Sequence, residues 1–194
     1  MKDEIIIGVD EVGRGCLAGP VLAAAVAIPQ GTTLRFKDSK KQTEKARQLN
    51  YKLIKKYAIS VRLGAASPSE IDSMNILRAT MLAMKRAIEK LDYKDKTVLV
   101  DGPHLPNIDS CNLKAVIKGD QKYSEIAAAS IVAKVVRDYL MVRLSRAHPS
   151  YLFENHKGYP TKDHIAAINN YGILPVHRKT FRPVFKFLKQ KSQL

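Results

Sequence analysis

Ile5-Ile6-Ile7-Gly8-Val9-Asp10-Glu11-Val12-Gly13-Arg14-Gly15-Cys16-Leu17-Ala18-Gly19-Pro20-Val21 is the stretch from which the rest of the chain is read. The apolar run from Ile5 to Val9 is short and largely β-branched, which predicts a buried strand. It ends in two adjacent carboxylates, Asp10 and Glu11. Charge at the end of a buried strand needs a partner, and a cation would supply one. The following loop carries Gly13, Gly15 and Gly19, with Arg14 between the first two. Its backbone must turn tightly or come close to something. Two readings stand at this point: a metal site beside a ligand-touching loop, or a strand with a solvated acidic end and an ordinary glycine turn.

The chain has 194 residues and is 45% hydrophobic, enough for one substantial domain over residues 1–194. Lys and Arg number 33 against 18 Asp and Glu, a net charge of +15. That balance favours nucleic acid as partner, ahead of an anionic membrane surface. No apolar run reaches the ~18 residues of a membrane span, and Met1-Lys2-Asp3-Glu4 opens no secretory signal. Cys16 and Cys111 are far apart and lack C-x-x-C spacing. They are expected to be free thiols in a reducing cytoplasm.

Val21 to Ile28 is a second apolar run, closed by Pro29-Gln30-Gly31 and expected to lie antiparallel to the first. Thr43 is placed to cap a basic helix through about Tyr57, and Ile59 to Ala65 reads as a third strand. Ser67-Pro68-Ser69-Glu70 has capping-box spacing. A helix from Ile76 to Leu91 follows, with Leu77, Met81, Met84 and Ile88 as core contacts. Thr97 to Val100 is a strand ending in Asp101-Gly102. Leu113 to Ile117 is another, followed by Lys118-Gly119-Asp120. The longest helical pattern runs from about Tyr123 to Arg146. Its first half is rich in small residues that allow close packing on a sheet, and its second half carries Lys134, Arg137, Arg143 and Arg146. Thr161 caps a helix that Gly172 ends. A final amphipathic helix reaches about Leu188, with Val184, Phe185 and Leu188 as its docking face. The fold class is α/β, a mixed central sheet flanked by helices, with a helical extension from about residue 145 to 194.

Functional sites of α/β sheets gather at the carboxyl ends of strands, where Asp10, Glu11, Asp101 and Asp120 are all placed. Oxygen ligands without a His or Cys cluster suit Mg²⁺ or Mn²⁺. Two such ions ~3.5–4 Å apart activate water and stabilise the leaving oxygen of a phosphodiester, so a basic protein with this cluster is a candidate nuclease. Each acid also has a plainer reading. Asp10 and Glu11 point to opposite faces of a regular strand, Asp101 suits a turn, and Asp120 suits a helix N-terminus. Asp138 is a rival for the fourth position. Along a continuous helix it lies more than ~20 Å from Asp120, so pairing with Arg137, Arg143 or another base is expected instead. Arg14, Lys40, Lys41 and Lys118 lie near the proposed site. Tyr159, in a basic loop, is either an exposed stacking platform or a core tyrosine with a bonded hydroxyl.

Five segments now combine in one order. Gly8 to Gly15, Asp38-Ser39-Lys40-Lys41, Val100-Asp101-Gly102, Lys118-Gly119-Asp120 with Ile126 to Lys134, and His156-Lys157-Gly158-Tyr159-Pro160-Thr161 resemble ribonuclease HII. The resemblance covers residues 5 to 182. It implies a ribonuclease H-like fold, hydrolysis of RNA in RNA–DNA hybrids, and incision 5′ of single ribonucleotides in duplex DNA. The implied products carry 5′-phosphate and 3′-hydroxyl ends. It further implies two divalent cations, Mn²⁺ or Mg²⁺, on Asp10, Glu11, Asp101 and Asp120, favouring Asp120 over Asp138. By the same resemblance, backbone groups of Gly13-Arg14-Gly15 contact the ribose 2′-OH, which distinguishes RNA from DNA. Tyr159 stacks on the deoxyribose 3′ of the ribonucleotide, and Lys40 contacts phosphate. Gln42 and Thr180 depart from the residues usual at those places. No substrate-binding domain precedes Asp10, unlike the related ribonuclease HIII. The tail from Lys186 to Leu194 shows no evident motif for a sliding clamp, which leaves a clamp partner open. A cytoplasmic monomer without membrane contact is expected. The rivals are a junction resolvase on the same fold and a non-catalytic hybrid- or DNA-binding module.

Overall fold

The structure, a computed structural model, describes residues 5–29, 36, 39, 42–109 and 111–191. Strand β1 (Ile5–Val12) lies at the centre of a five-stranded sheet with β2 (Val21–Pro29), β3 (Ser60–Ala66), β4 (Thr97–Asp101) and β5 (Asn112–Val116). The order is β3-β2-β1-β4-β5. Strand β2 pairs antiparallel with both β1 and β3, while β4 and β5 run parallel to β1. The sheet is therefore mixed, as expected.

Helices cover both faces. Ile7 and Val9 of β1 pack with Ala79, Ala83 and Met84 of α3 (Ile76–Ile88), which follows the short α2 (Pro68–Met74). Leu22, Ala24 and Val26 of β2 pack on the opposite face with Ile54 of α1 (Glu44–Tyr57) and Ala128 and Ile131 of α4 (Ser124–Ala147). Strand β2 is buried from Val21 to Ile28, which is why it reads as a continuous apolar run without alternation. Gly8 lets α4 approach: a Cβ there would lie 2.0 Å from the Glu125 carbonyl carbon. That close seat brings the next turn of α4 to the end of β1.

The last part of the chain forms α5 (Phe153–His156), α6 (Lys162–Tyr171) and α7 (Arg182–Lys191). These helices pack around Leu17 and Ala18 of the β1–β2 loop: Phe153 and Ala167 with Ala18, Ile168 and Val184 with Leu17. Val184 and Leu188 dock as expected, but Phe185 is 46% exposed and Phe187 packs in its stead. Strand β1 continues two residues past Asp10, through Val12. Helix α3 ends at Ile88, and a turn still buries Leu91. Among the described residues no helix is long and apolar enough to cross a membrane.

Candidate active site

The parallel strands β1 and β4 pair Val9 with Val100, so Asp10 and Asp101 leave the same edge of the sheet side by side. Strand β5 ends at that edge too. Lys118 then takes a left-handed conformation, φ +55°, and turns the chain into a 3-10 turn over Gly119–Gln121. The Gly119 N–H donates to Asp101 Oδ1 at 2.7 Å, which draws Asp120, itself buried, towards the same edge.

Asp10 faces α4. Its Oδ1 accepts the Glu11 N–H at 2.7 Å, and Ser130 of α4 bonds its carboxyl. The Ser130 hydroxyl lies 2.8 Å from that of Ser39, so this hydrogen bond brings Ser39 to the site. Lys40, the expected phosphate contact, lies outside the described residues, as do Asp38 and Lys41. Burial first, then the charges of Glu11 and Asp101, hold the Asp10 carboxyl well above the usual carboxylate range. Burial raises Glu11 as well, against the pull of Arg14, whose Nη1 is 3.4 Å from Glu11 Oε1.

Among the described residues no three His, Cys, Asp or Glu side chains are already gathered around one point. The local partners explain this: Glu11 leans to Arg14, and Asp101 to Gly119. The donor chemistry still fits hard divalent cations. It is all oxygen, and the crowding of charge that raises Asp10 and Glu11 is what a cation would relieve. Asp138 takes no part. It pairs with Lys134 at 2.9 Å, not with Arg137 or Arg143, and α4 is unbroken between it and the site.

The two outer glycines of the Gly13-Arg14-Gly15 loop differ. Gly13 has φ +90°, and a Cβ there would lie 2.2 Å from Arg137 Nε. Gly15 has no such φ and open space around it. Tyr159 combines the two readings open to it: the residue is 37% exposed, while its hydroxyl is hydrogen-bonded with the Cys16 thiol. A groove lined by Glu11, Ser39, Ser130, Lys134 and Tyr159 joins Glu11 to this ring.

The model of the family described as Ribonuclease HII matches residues 7–187. The chain belongs to the ribonuclease HII family. It is 52% identical over 189 residues to ribonuclease HII of Hydrogenovibrio crunogenus, covering 97% of this chain and 91% of that protein. Among solved structures it resembles ribonuclease H2 from Pyrococcus horikoshii, with a TM-score of 0.81 at 24% identity, covering 98% of this chain and all of that one. It also resembles Bst ribonuclease HIII in complex with Mn²⁺, with a TM-score of 0.72 at 18% identity, covering 99% of this chain and 71% of that one. The fold is that of the type 2 ribonucleases H, and the protein is an enzyme, a ribonuclease.

Two residues that hold this ribonuclease HII site together are not evident in the sequence. Arg137 and Arg178 are fully buried. Arg178 donates to the carbonyls of Gly13, Arg14 and Gly19 at 2.7–3.1 Å. Arg137 reads as one more base on the second half of α4, yet it lies four residues from both Ala133 and Met141 on the buried face. That helical spacing is the signal that marks it. Thr180, where serine is usual in the family, keeps the hydroxyl function by donating to Asp72 Oδ1 at 2.7 Å.

Three buried histidines support the Tyr159 loop. The Leu174 N–H donates to His177 Nδ1. His177 Nε2 then donates to His164 Nε2, and His164 Nδ1 donates to the Tyr159 carbonyl. His156 Nε2 donates to the Tyr151 carbonyl while its Nδ1 accepts the Gly158 N–H. Each tautomer follows from its fixed main-chain partners.

Proposed function

We propose that this ribonuclease cleaves the RNA strand of RNA–DNA hybrids and incises 5′ of single ribonucleotides in duplex DNA. One observation carries the reading: the strand-end acids and the Gly13–Gly15 loop share one edge of the sheet, and a groove continues from Glu11 to Tyr159. Asp10, Glu11, Asp101 and Asp120 would hold two Mg²⁺ or Mn²⁺ ions; the complex of Bst ribonuclease HIII with Mn²⁺ supports the choice of a divalent cation. Ions so held supply an activated water and charge stabilisation of the departing 3′-oxygen, leaving 5′-phosphate and 3′-hydroxyl ends.

The chain's own groups select the substrate. The backbone around Gly15 approaches the ribose 2′-OH; the open space at that residue supports this role, since packing within the protein does not require a glycine there. Tyr159 offers a ring face to the sugar on the 3′ side. Lys40 contacts phosphate near the acids. The helices after about residue 145 act as an extension that holds the duplex, with affinity that falls as salt rises. Both cysteines are free, in keeping with a cytoplasmic enzyme, and we assign it as a monomer.

The test is a DNA duplex with one embedded ribonucleotide beside an all-DNA duplex, in Mn²⁺ or Mg²⁺. Incision only on the 5′ side of the ribonucleotide is expected. No incision, or equal cutting of both duplexes, overturns the reading.

A further inference from the structure

The loop after β1 and the loop carrying Tyr159 come from opposite ends of the chain, yet they are bound together by main-chain contacts. The Leu17 N–H donates to the Gly158 carbonyl at 2.8 Å. Beneath that contact lies the Arg137 guanidinium. Its Nε donates to the Pro20 carbonyl at 3.1 Å and its Nη2 to the Ala18 carbonyl at 3.1 Å. Its Nη1 donates to the Lys157 carbonyl at 2.8 Å. One planar fork thus spans both loops, from a helix already seated on the sheet.

Burying a guanidinium on neutral carbonyls is a poor way to gain stability. Its planar geometry instead fixes three acceptors relative to one another, which a lysine's single ammonium cannot do. We propose that Arg137 is a positioning residue that sets the distance between the Gly13–Gly15 loop and Tyr159. Through that distance it sets the preference for a lone ribonucleotide over a continuous RNA tract. The inference rests on the functional reading above. At a lone ribonucleotide one 2′-OH and the next deoxyribose must be met together, by two groups at fixed separation. In an RNA tract every sugar carries a 2′-OH and no such junction is present, so cleavage there does not depend on the separation.

Two variants test this from opposite sides. Arg137→Lys keeps the charge and removes the fork. Gly158→Ala leaves Arg137 intact, but its Cβ would meet the Ala18 carbonyl oxygen at 2.7 Å, at φ +84°, and so forces the loops apart. With either, kcat on a single-ribonucleotide duplex is expected to fall about tenfold or more, while cleavage of an RNA–DNA hybrid stays within about threefold of wild type. Adding Tyr159→Ala to Arg137→Lys is expected to cost nothing further on the single-ribonucleotide duplex, because both act on one contact. Melting curves identify a variant that fails to fold, and Gly158→Ala carries the test if Arg137→Lys is the one that fails. Equal losses on the two substrates, or additive losses in the double variant, overturn the inference. A wild-type enzyme that does not incise the single-ribonucleotide duplex removes the functional reading and this inference together. An active wild type with an unchanged substrate ratio in the variants removes the inference alone.

Discussion

His177 Nε2 lies 3.1 Å from His164 Nε2, and only the neutral forms of both rings satisfy that contact and its neighbours. A proton added to His164 Nε2 would face the His177 N–H, and one added to His177 Nδ1 would face the Leu174 N–H. Burial pushes both side chains down to about 4. In the unfolded chain they titrate near ~6.5. Below that value the unfolded state binds protons the folded state refuses, so stability present above about pH 6.5 is lost as pH falls towards about 4. The loss amounts to on the order of 3 kcal/mol for a fully shifted histidine. Urea unfolding between pH 7 and pH 4.5 should show the decline, and NMR should show no titration of either ring above about pH 5.5. A midpoint near the ordinary histidine value for either ring would disprove the account.

Asp10→Asn removes a buried carboxylate that the neighbouring Glu11 and Asp101 charges oppose. In EDTA at neutral pH the variant should be more stable than wild type by on the order of 1 kcal/mol. Activity should fall by more than the ~10–100-fold that loss of an outer-shell partner of a metal costs. Mn²⁺ should raise the melting temperature of wild type, as any ligand of the folded state does, and raise that of the variant much less. Equal stabilisation of both proteins by Mn²⁺ would remove Asp10 from the cation site.

Glycine substitutions should separate packing from substrate reading. Gly8→Ala places a Cβ within 2.4 Å of three backbone atoms of α4. Overpacking a core in this way costs about 3 kcal/mol or more. Gly15→Ala meets nothing, and its stability should stay within about 0.5 kcal/mol of wild type. Incision at a ribonucleotide should nonetheless drop about tenfold or more, as one reacting group is held off. Full activity in Gly15→Ala would exclude close backbone approach at that residue.

The Tyr159 ring and its hydroxyl can be told apart. Tyr159→Phe loses the bond with Cys16 and keeps the exposed face, so incision at a single ribonucleotide should remain within about threefold of wild type. Tyr159→Ala removes a stacking surface worth ~1–3 kcal/mol, and should impair the single-ribonucleotide duplex more than a long hybrid. Comparable losses in Phe and Ala would assign the role to the hydroxyl.

Strand-end acids were readable because Asp10 and Asp101 interrupt apolar runs, a contrast confined to a few residues. Asp120 was weaker, since its placement depends on the left-handed turn at Lys118 and on the Gly119 bond to Asp101. Arg178 and the histidines were hidden for another reason. Arg178 bonds main-chain carbonyls more than 150 residues away, and the histidines bond main-chain groups as well as one another; a main-chain atom has no signature in a sequence. Arg137 carried a local signal in its spacing, masked by the bases around it.

The loop after β1 also has a consequence for the order of events during synthesis. Its main chain is tied to Gly158, Val176 and Arg178. At ribosomal rates of ~5–20 residues per second, residue 178 follows residue 20 by roughly 8–30 s. Through that interval Asp10, Asp101 and, later, Asp120 have been made, while the loop beside them lacks the partners that shape it. The strand-end acids are thus made early and the partners that shape the adjoining loop late. A nascent chain cannot present the finished loop before its C-terminal segment has left the ribosome.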